Sequence, residues 1–207
     1  IAEVSEERLA ALNRAACEKT VPEATGGAVS PRMKMLFSKY ERNSMKMLMS
    51  LKKEFSFSLF RPVFFEKDIA ETGKYTLPLP DGTKLVVGGV IDRVDVWNDG
   101  ETDWVRVIDY KTGGKPESLK AADDLAPLFT PATNRPHYLL QTFLYSNVLL
   151  PSAKPVAPAL YFLNHKIENP LITVAKKPLN DFTPLAAAYT EGLQRVVAEI
   201  LNPDVPF

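Results

Sequence analysis

The segment Trp104-Val105-Arg106-Val107-Ile108-Asp109-Tyr110-Lys111-Thr112-Gly113 has the pattern of a buried β-strand that ends in two charged residues. Side chains alternate between the two faces of a strand, so Asp109 and Lys111 share one face with the valines before them. An acid and a lysine on an apolar face cost free energy unless partners or a bound ion compensate them. A functional site is expected where residues break an otherwise consistent local pattern.

The residues before this strand predict its antiparallel partner. The segment Gly88-Gly89-Val90-Ile91-Asp92-Arg93-Val94-Asp95-Val96 is a second strand, and a turn joins it to the first. Alternation puts Asp92 on the apolar face, whereas Arg93 and Asp95 share the opposite face and could pair with each other. Pairing of the two strands would bring Asp92 beside Asp109.

Two explanations fit this cluster of charges. Two carboxylates that converge without a fixed partner repel each other, and a divalent cation resolves the conflict. Hard oxygen ligands suit Mg²⁺ or Mn²⁺, and Lys111 could orient a water or stabilise charge on a phosphate. Asp92, Asp109 and Lys111 are therefore suited to metal-assisted phosphodiester hydrolysis. The alternative is a structural ion pair between Asp109 and Lys111, and spacing alone favours neither.

The hydrophobic pattern predicts an α/β (α+β) fold in which helices flank a central mixed sheet of about five strands. Residues 21–29 and 115–136 are predicted as loops, the second with a possible short helix at 118–125, and a loop of that length is typical of a functional lid or a disordered insertion. The predicted strands are 63–69, 75–79, 84–96, 104–111 and 156–163, and the predicted helices are 5–20, 31–53, 135–150 and 183–200.

The composition limits the possible functions. The chain of 207 residues has 25 basic and 25 acidic residues, so any nucleic-acid contact must come from a local basic patch. The single cysteine, Cys17, excludes an internal disulfide and a cysteine-only metal site within this chain. No apolar run approaches the roughly 20 residues of a membrane span, and no signal-peptide pattern is present, so we expect a cytoplasmic protein.

The helix at 135–150 carries a polar ridge opposite its leucine stripe. Gln141 and Tyr145 are four residues apart and lie on one face, with His137 one turn earlier. Taken alone, such a ridge is most often an ordinary solvated face.

Three motifs in this order resemble the RecB-like branch of the PD-(D/E)XK nuclease superfamily. They are Gly89-Val90-Ile91-Asp92-Arg93-Val94-Asp95, then Asp109-Tyr110-Lys111-Thr112-Gly113, then Gln141-x-x-x-Tyr145. The resemblance covers roughly residues 63–163. That branch includes nuclease domains of the bacterial RecBCD and AddAB recombination enzymes and exonucleases of CRISPR adaptation.

The resemblance implies roles for individual residues. It implies a restriction-endonuclease-like core at 56–207 after an N-terminal helical part at 1–55. In the family the two acids bind Mg²⁺ or Mn²⁺, the lysine assists catalysis, and the glutamine and tyrosine contact the site or the DNA. The corresponding residues here are Asp92, Asp109, Lys111, Gln141 and Tyr145, and Glu66 resembles a further acid on the preceding strand.

The chain departs from the family pattern in two respects. Many members carry a metal-binding histidine on an early helix, but no histidine precedes His137, so Glu41 or Glu54 would have to substitute unless that helix lies before Ile1. Some members end in a cysteine cluster that holds iron and sulfur, and we expect no iron–sulfur cluster within this chain. Both departures suggest a fragment of a longer protein.

These observations favour a metal-dependent deoxyribonuclease, more often an exonuclease than an endonuclease, acting in DNA repair and recombination. We expect the partners to be DNA and the helicase or other subunits of a recombination complex. We expect no association with a membrane. The main alternative is an inactive nuclease-like domain that binds DNA or forms a scaffold for a helicase–nuclease complex. A phosphatase using the same acids is a third possibility, which the Gln141 and Tyr145 motif makes less favourable.

Overall fold

The computed structural model describes residues 2–27, 29–72, 75–133, 135–151, 155–163, 165 and 169–205. The chain divides into a helical unit (residues 1–59, 112–114 and 162–168) and a sheet unit (residues 60–111, 115–161 and 169–207). No helix in the described ranges is long and apolar enough to cross a membrane. The proposed domain boundary between residues 55 and 56 stays a prediction.

Two long helices, α1 (Glu6–Thr25) and α2 (Pro31–Phe57), form the helical unit. The Ser30 hydroxyl accepts a hydrogen bond from Met33 N at 3.3 Å, and Pro31 occupies the first turn of α2, where its missing N–H costs nothing. The loop predicted from residue 21 is wrong for residues 21–25, which continue α1. A single proline removes one backbone donor, and the glutamate and alanine that follow it are good helix formers.

The other elements build the sheet and its covering helices. In chain order they are β1 (Arg61–Asp68), a 3₁₀ turn (Ile69–Thr72), β2 (Thr76–Pro78), β3 (Lys84–Val86), β4 (Val90–Asn98), β5 (Asp103–Lys111), β6 (Ser118–Leu119), α3 (Ala126–Phe129), α4 (His137–Leu149), β7 (Val156–Phe162), β8 (Thr173–Val174), β9 (Lys177–Pro178) and α5 (Thr183–Leu201). In the described part of the chain the central sheet has four strands in the order β1-β4-β5-β7, with β4 antiparallel to both β1 and β5. The predicted fold class is confirmed.

Two local predictions are wrong. The strand predicted to run unbroken over 84–96 divides between two sheets, because the backbone leaves the extended path at Gly89, whose φ is +149°. The helix predicted at 118–125 is replaced by β6, which pairs with β8, and by α3. Asp124 explains the later start of α3, since its carboxylate accepts a hydrogen bond from Ala126 N at 3.3 Å.

An aromatic cluster joins α4 to α5 in the core of the sheet unit. The ring of Phe143 lies 5.0 Å from Phe182 and 6.0 Å from Tyr189, measured between centroids. The buried Tyr189 hydroxyl donates to Leu140 O at 2.7 Å, and burial raises its pKa well above the ordinary value. The cluster fixes α4, which packs against β5 and supplies the polar ridge.

One face of the β4–β5 pair contains a buried network of charges. Asp95 accepts hydrogen bonds from Arg93 Nε at 2.5 Å and from Arg106 Nη2 at 2.6 Å, and Arg93 Nη1 donates to the Tyr110 hydroxyl at 3.0 Å. Arg93 and Asp95 are 1% and 0% exposed. Burial alone lowers the pKa of Arg93, but the hydrogen bonds and charges of Asp95 and Tyr110 outweigh it and the net shift is upward. The predicted Arg93–Asp95 pair is confirmed.

We expect Asp95→Ala to reduce the free energy of unfolding by about 3–5 kcal/mol, because it leaves two buried guanidinium groups without their counter-charge. The matched control is Asp103→Ala on β5, where an exposed carboxylate accepts from Asn98 Nδ2 and truncation costs at most about 1 kcal/mol. Urea denaturation of both variants measures the difference. Equal losses would show that the network does not stabilise the sheet.

Candidate active site

The register of β4 and β5 places the two predicted acids on neighbouring strands. The ladder pairs Val94 with Val107 and then Arg93 with Ile108, so the next position brings Asp92 opposite Asp109. The regular ladder ends there. Beyond it, Tyr110 N donates to Asp92 Oδ2 at 2.6 Å, so a carboxylate replaces the backbone acceptor.

Asp109 is a buried carboxylate under electrostatic strain. Its residue is 2% exposed, and burial raises its pKa to about 6. The Lys111 ammonium group contacts Asp109 Oδ2 and opposes this shift, whereas the charge of Asp92 adds to it. Among the described residues no group gives that buried oxygen a hydrogen bond of regular geometry. Lys111 therefore compensates the Asp109 charge only in part.

Lys111 begins a chain of polar contacts that reaches α4. Its ammonium donates to Gln141 Oε1 at 2.7 Å, and Gln141 Nε2 donates to the Tyr145 hydroxyl at 2.9 Å. Tyr145 is only 7% exposed, so the alternative of an ordinary solvated face is wrong for this part of the helix. His137, the first residue of the predicted ridge, is exposed and contacts Arg135 O.

Gly89, in the first motif, lies close to the Tyr145 side chain. A Cβ at this position would meet the Tyr145 ring at 3.5 Å and Ile69 Cδ1 at 3.3 Å, and a φ of +149° is strained for any residue with a side chain. The glycine thus allows the backbone entering β4 to approach the tyrosine that contacts Gln141.

Glu66, the weaker candidate for a site residue, lies on β1, the strand next to the one that carries Asp92. Its neighbours Phe65 and Lys67 pair with Arg93 and Ile91, so Glu66 lies across from Asp92. It is exposed and has a φ of 51°, which is uncommon for glutamate. Its participation in the site stays a prediction.

Two residues near the site were not identified from the sequence. The Tyr138 ring lies 5.0 Å from Lys111 Nζ, and its spacing from Gln141 and Tyr145 is helical, so the helical period could have revealed it. Glu117 accepts a hydrogen bond from Leu139 N at 3.0 Å, and burial raises its pKa. No periodic signal distinguishes Glu117 within its loop.

Asp92 and Asp109 fit a divalent cation by their chemistry. Within the described ranges, no group of three or more His, Cys, Asp or Glu side chains forms a metal-binding cluster. Mg²⁺, however, usually keeps several waters and binds through one or two carboxylates, so two acids suffice. The incompletely bonded Asp109 Oδ2 is a suitable ligand atom. Substitution of the family histidine by Glu41 or Glu54 stays a prediction.

Comparison with known proteins decides the family. The model of the PD-(D/E)XK nuclease superfamily matches residues 2–207. The chain belongs to the PD-(D/E)XK nuclease superfamily. The resemblance inferred from the three motifs is confirmed, and the match extends beyond residues 63–163 over almost the whole chain.

Curated relatives in this nuclease superfamily are named as one of the subunits of an ATP-dependent helicase/deoxyribonuclease. The relative from Acetivibrio thermocellus is 30% identical over 160 residues, which is 72% of this chain and 13% of the relative. The relative from a Thermoanaerobacter species is 29% identical over 182 residues, or 84% of this chain and 14% of the relative. The relative from Clostridium acetobutylicum is 30% identical over 99 residues, which is 45% of this chain and 9% of the relative. The matched region is therefore a small part of each relative.

We expect Asp109→Asn to raise the free energy of unfolding at pH 7 in EDTA by about 1–3 kcal/mol, because it removes a charge whose burial is only partly compensated. The folded pKa near 6 exceeds the ordinary 3.8, so the cost of the charge is absent below about pH 4, grows as the pH rises and is complete above about pH 6. Urea denaturation from pH 4 to pH 8 measures it.

The gain in the free energy of unfolding caused by Asp109→Asn should shrink as the pH falls toward 4. Destabilisation by Asp109→Asn at pH 7 would instead favour the structural ion pair with Lys111. Asp103→Asn, at the exposed end of the same strand, is the control, because it removes a carboxylate charge that is not buried.

Proposed function

We propose that this chain is a Mg²⁺- or Mn²⁺-dependent deoxyribonuclease domain that hydrolyses phosphodiester bonds. The observation that carries the proposal is the buried Asp109 carboxylate, which lies opposite Asp92 and in contact with Lys111 in a chain of the PD-(D/E)XK superfamily. Asp92 and Asp109 would hold the metal ion. When bound, the ion supplies positive charge that polarises the phosphate and acidifies a water.

The protein side chains supply positioning and stabilisation of charge. Contacts with Asp109 and Gln141 keep the Lys111 ammonium on the side of the sheet that carries the two acids. From there it orients the attacking water or stabilises charge that develops on the phosphate oxygens. Tyr145 supports the Gln141 amide and hence the Lys111 position.

An exonuclease in DNA repair or recombination fits the names of the relatives, each of which belongs to a helicase/deoxyribonuclease. We include a helicase partner and a cytoplasmic location in this proposal. The second candidate is a scaffold that binds DNA without cleaving it. The absence of an early histidine from the sequence and the balanced charge motivate that candidate.

Cleavage of labelled linear DNA in Mn²⁺ or Mg²⁺ tests the proposal. We expect Asp109→Ala and Lys111→Ala each to reduce the rate at least about 100-fold, because one removes a metal ligand and the other a group that stabilises charge or positions the water. The charge-matched controls are Asp103→Ala and Lys84→Ala, which lie at exposed positions of β5 and β3 and should retain the rate.

The result also separates the two candidate functions. DNA binding without metal-dependent cleavage by the purified protein would favour the scaffold. Cleavage that both site variants retain would show that another site, or a contaminant, is responsible.

A further inference from the structure

Near the candidate active site, the loop between β5 and α4 lines a cavity of about 620 Å³ that is open to solvent. That volume lies within the range of about 300–1,000 Å³ that is typical of small-ligand sites. Its apolar wall includes Leu119, Pro127 and Pro136, and its charged lining residues are Glu117, Lys120, Asp124 and Arg135. The proposed catalytic residues do not line it.

The two acids in the wall are engaged by backbone donors. Glu117 accepts from Leu139 N at 3.0 Å, and Asp124 accepts from Ala126 N at 3.3 Å. Each carboxylate therefore fixes the start of a helix, α4 in one case and α3 in the other. Their negative charge is partly neutralised by these N–H groups.

The two cations in the wall have no such partners. Within the described residues, the side chains of Lys120 and Arg135 make no hydrogen bond or ion pair. Their backbones are fixed, because Lys120 directly follows β6, and because Arg135 N donates to Ala132 O at 3.2 Å while Arg135 O accepts from His137 N at 2.8 Å. Two cations on fixed backbone, both free to bind, suit an anionic ligand.

The cavity and the candidate site both lie beside the first turn of α4. Glu117 forms part of the wall and binds the backbone of Leu139, the residue after Tyr138, whose ring lies 5.0 Å from Lys111 Nζ. Burial dominates the pKa of Glu117 and raises it, but the charge of Lys111 lowers it, so the cavity wall and the site lysine are electrostatic neighbours. A DNA strand with a phosphate at Lys111 would therefore pass near the cavity. A cavity of this size admits one or two nucleotides of a single strand, whereas a duplex presents its phosphates on a broad outer surface.

We propose that this cavity binds a nucleotide unit of single-stranded DNA next to the scissile phosphate, with Lys120 and Arg135 contacting the backbone phosphates. The proposal rests on the proposed nuclease function. The wall of alanine, leucine and proline contacts the sugar or base without reading its sequence, so recognition depends on charge and shape.

The test uses a fluorescently labelled single-stranded oligonucleotide and the Asp109→Ala protein in EDTA, so that cleavage does not interfere. Fluorescence anisotropy gives the dissociation constant at several salt concentrations. We expect the added pair Lys120→Ala and Arg135→Ala to weaken binding about tenfold. The slope of log K against log salt should become shallower by about 1.4, because each phosphate contact to a single strand contributes about 0.7.

The charge-matched control is the pair Lys84→Ala and Lys177→Ala, two exposed lysines on β3 and β9 that do not line the cavity. It should leave the slope unchanged, and a duplex of the same sequence should lose little affinity in the Lys120 and Arg135 variant. The proposal would be overturned if the slope were unchanged in that variant or if the starting protein did not bind the oligonucleotide. It would also be overturned if the control pair lost as much affinity, or if the duplex lost as much affinity as the single strand.

Failure of the cavity proposal remains distinguishable from failure of the nuclease proposal. The nuclease proposal is decided by metal-dependent cleavage in the Asp109 and Lys111 variants, whereas this experiment measures binding alone. A protein that cleaves DNA but binds it independently of Lys120 and Arg135 would retain the first proposal and lose the second.

Discussion

The antiparallel register of β4 and β5 is the constraint on which the candidate site depends. It puts Asp92 opposite Asp109 on one face and pairs Asp95 with Arg106 on the other. A slip of one residue on one strand would exchange that strand's faces, so the site acids would no longer meet and the buried network would break. Since separating a buried carboxylate from its counter-charge costs several kcal/mol, the network penalises the slipped pairing.

Tyr110 connects the two faces of this strand pair. Its hydroxyl accepts from Arg93 within the buried network, and its backbone N–H donates to the Asp92 carboxylate. The same residue therefore anchors the structural charges and orients one of the candidate ligands. Helix α4 completes the arrangement, because the aromatic core holds it where Gln141 reaches Lys111.

Strand alternation predicted the placement of the candidate site residues better than it predicted where the helices and strands begin and end. The positions of Asp92, Asp109 and Lys111 follow from a period of two and one hairpin, both of which are local properties. The break at Gly89 and the extension of α1 past residue 20 depend on tertiary packing and on the balance of weak propensities, which a single sequence does not resolve.

The burial of Arg93 and Asp95 could not be predicted from the sequence either. Alternation indicated that the two residues share a face, but not that Arg106 joins them or that the face is closed to solvent. Glu117 binds the backbone of α4 from an irregular loop, where no period applies. The motifs identified the family correctly because they depend on the identity and order of a few polar residues and not on how the chain packs.

We propose that Asp92 and Asp109 together bind a divalent cation. Titration of the purified, EDTA-treated protein with Mn²⁺ in a calorimeter at pH 7.5 tests it most directly, with Asp92→Ala as the site variant and Asp103→Ala as the control. We expect stoichiometric binding by the starting protein and by the control, and loss of binding in Asp92→Ala. No binding at millimolar Mn²⁺, or binding that Asp92→Ala leaves intact, would contradict it.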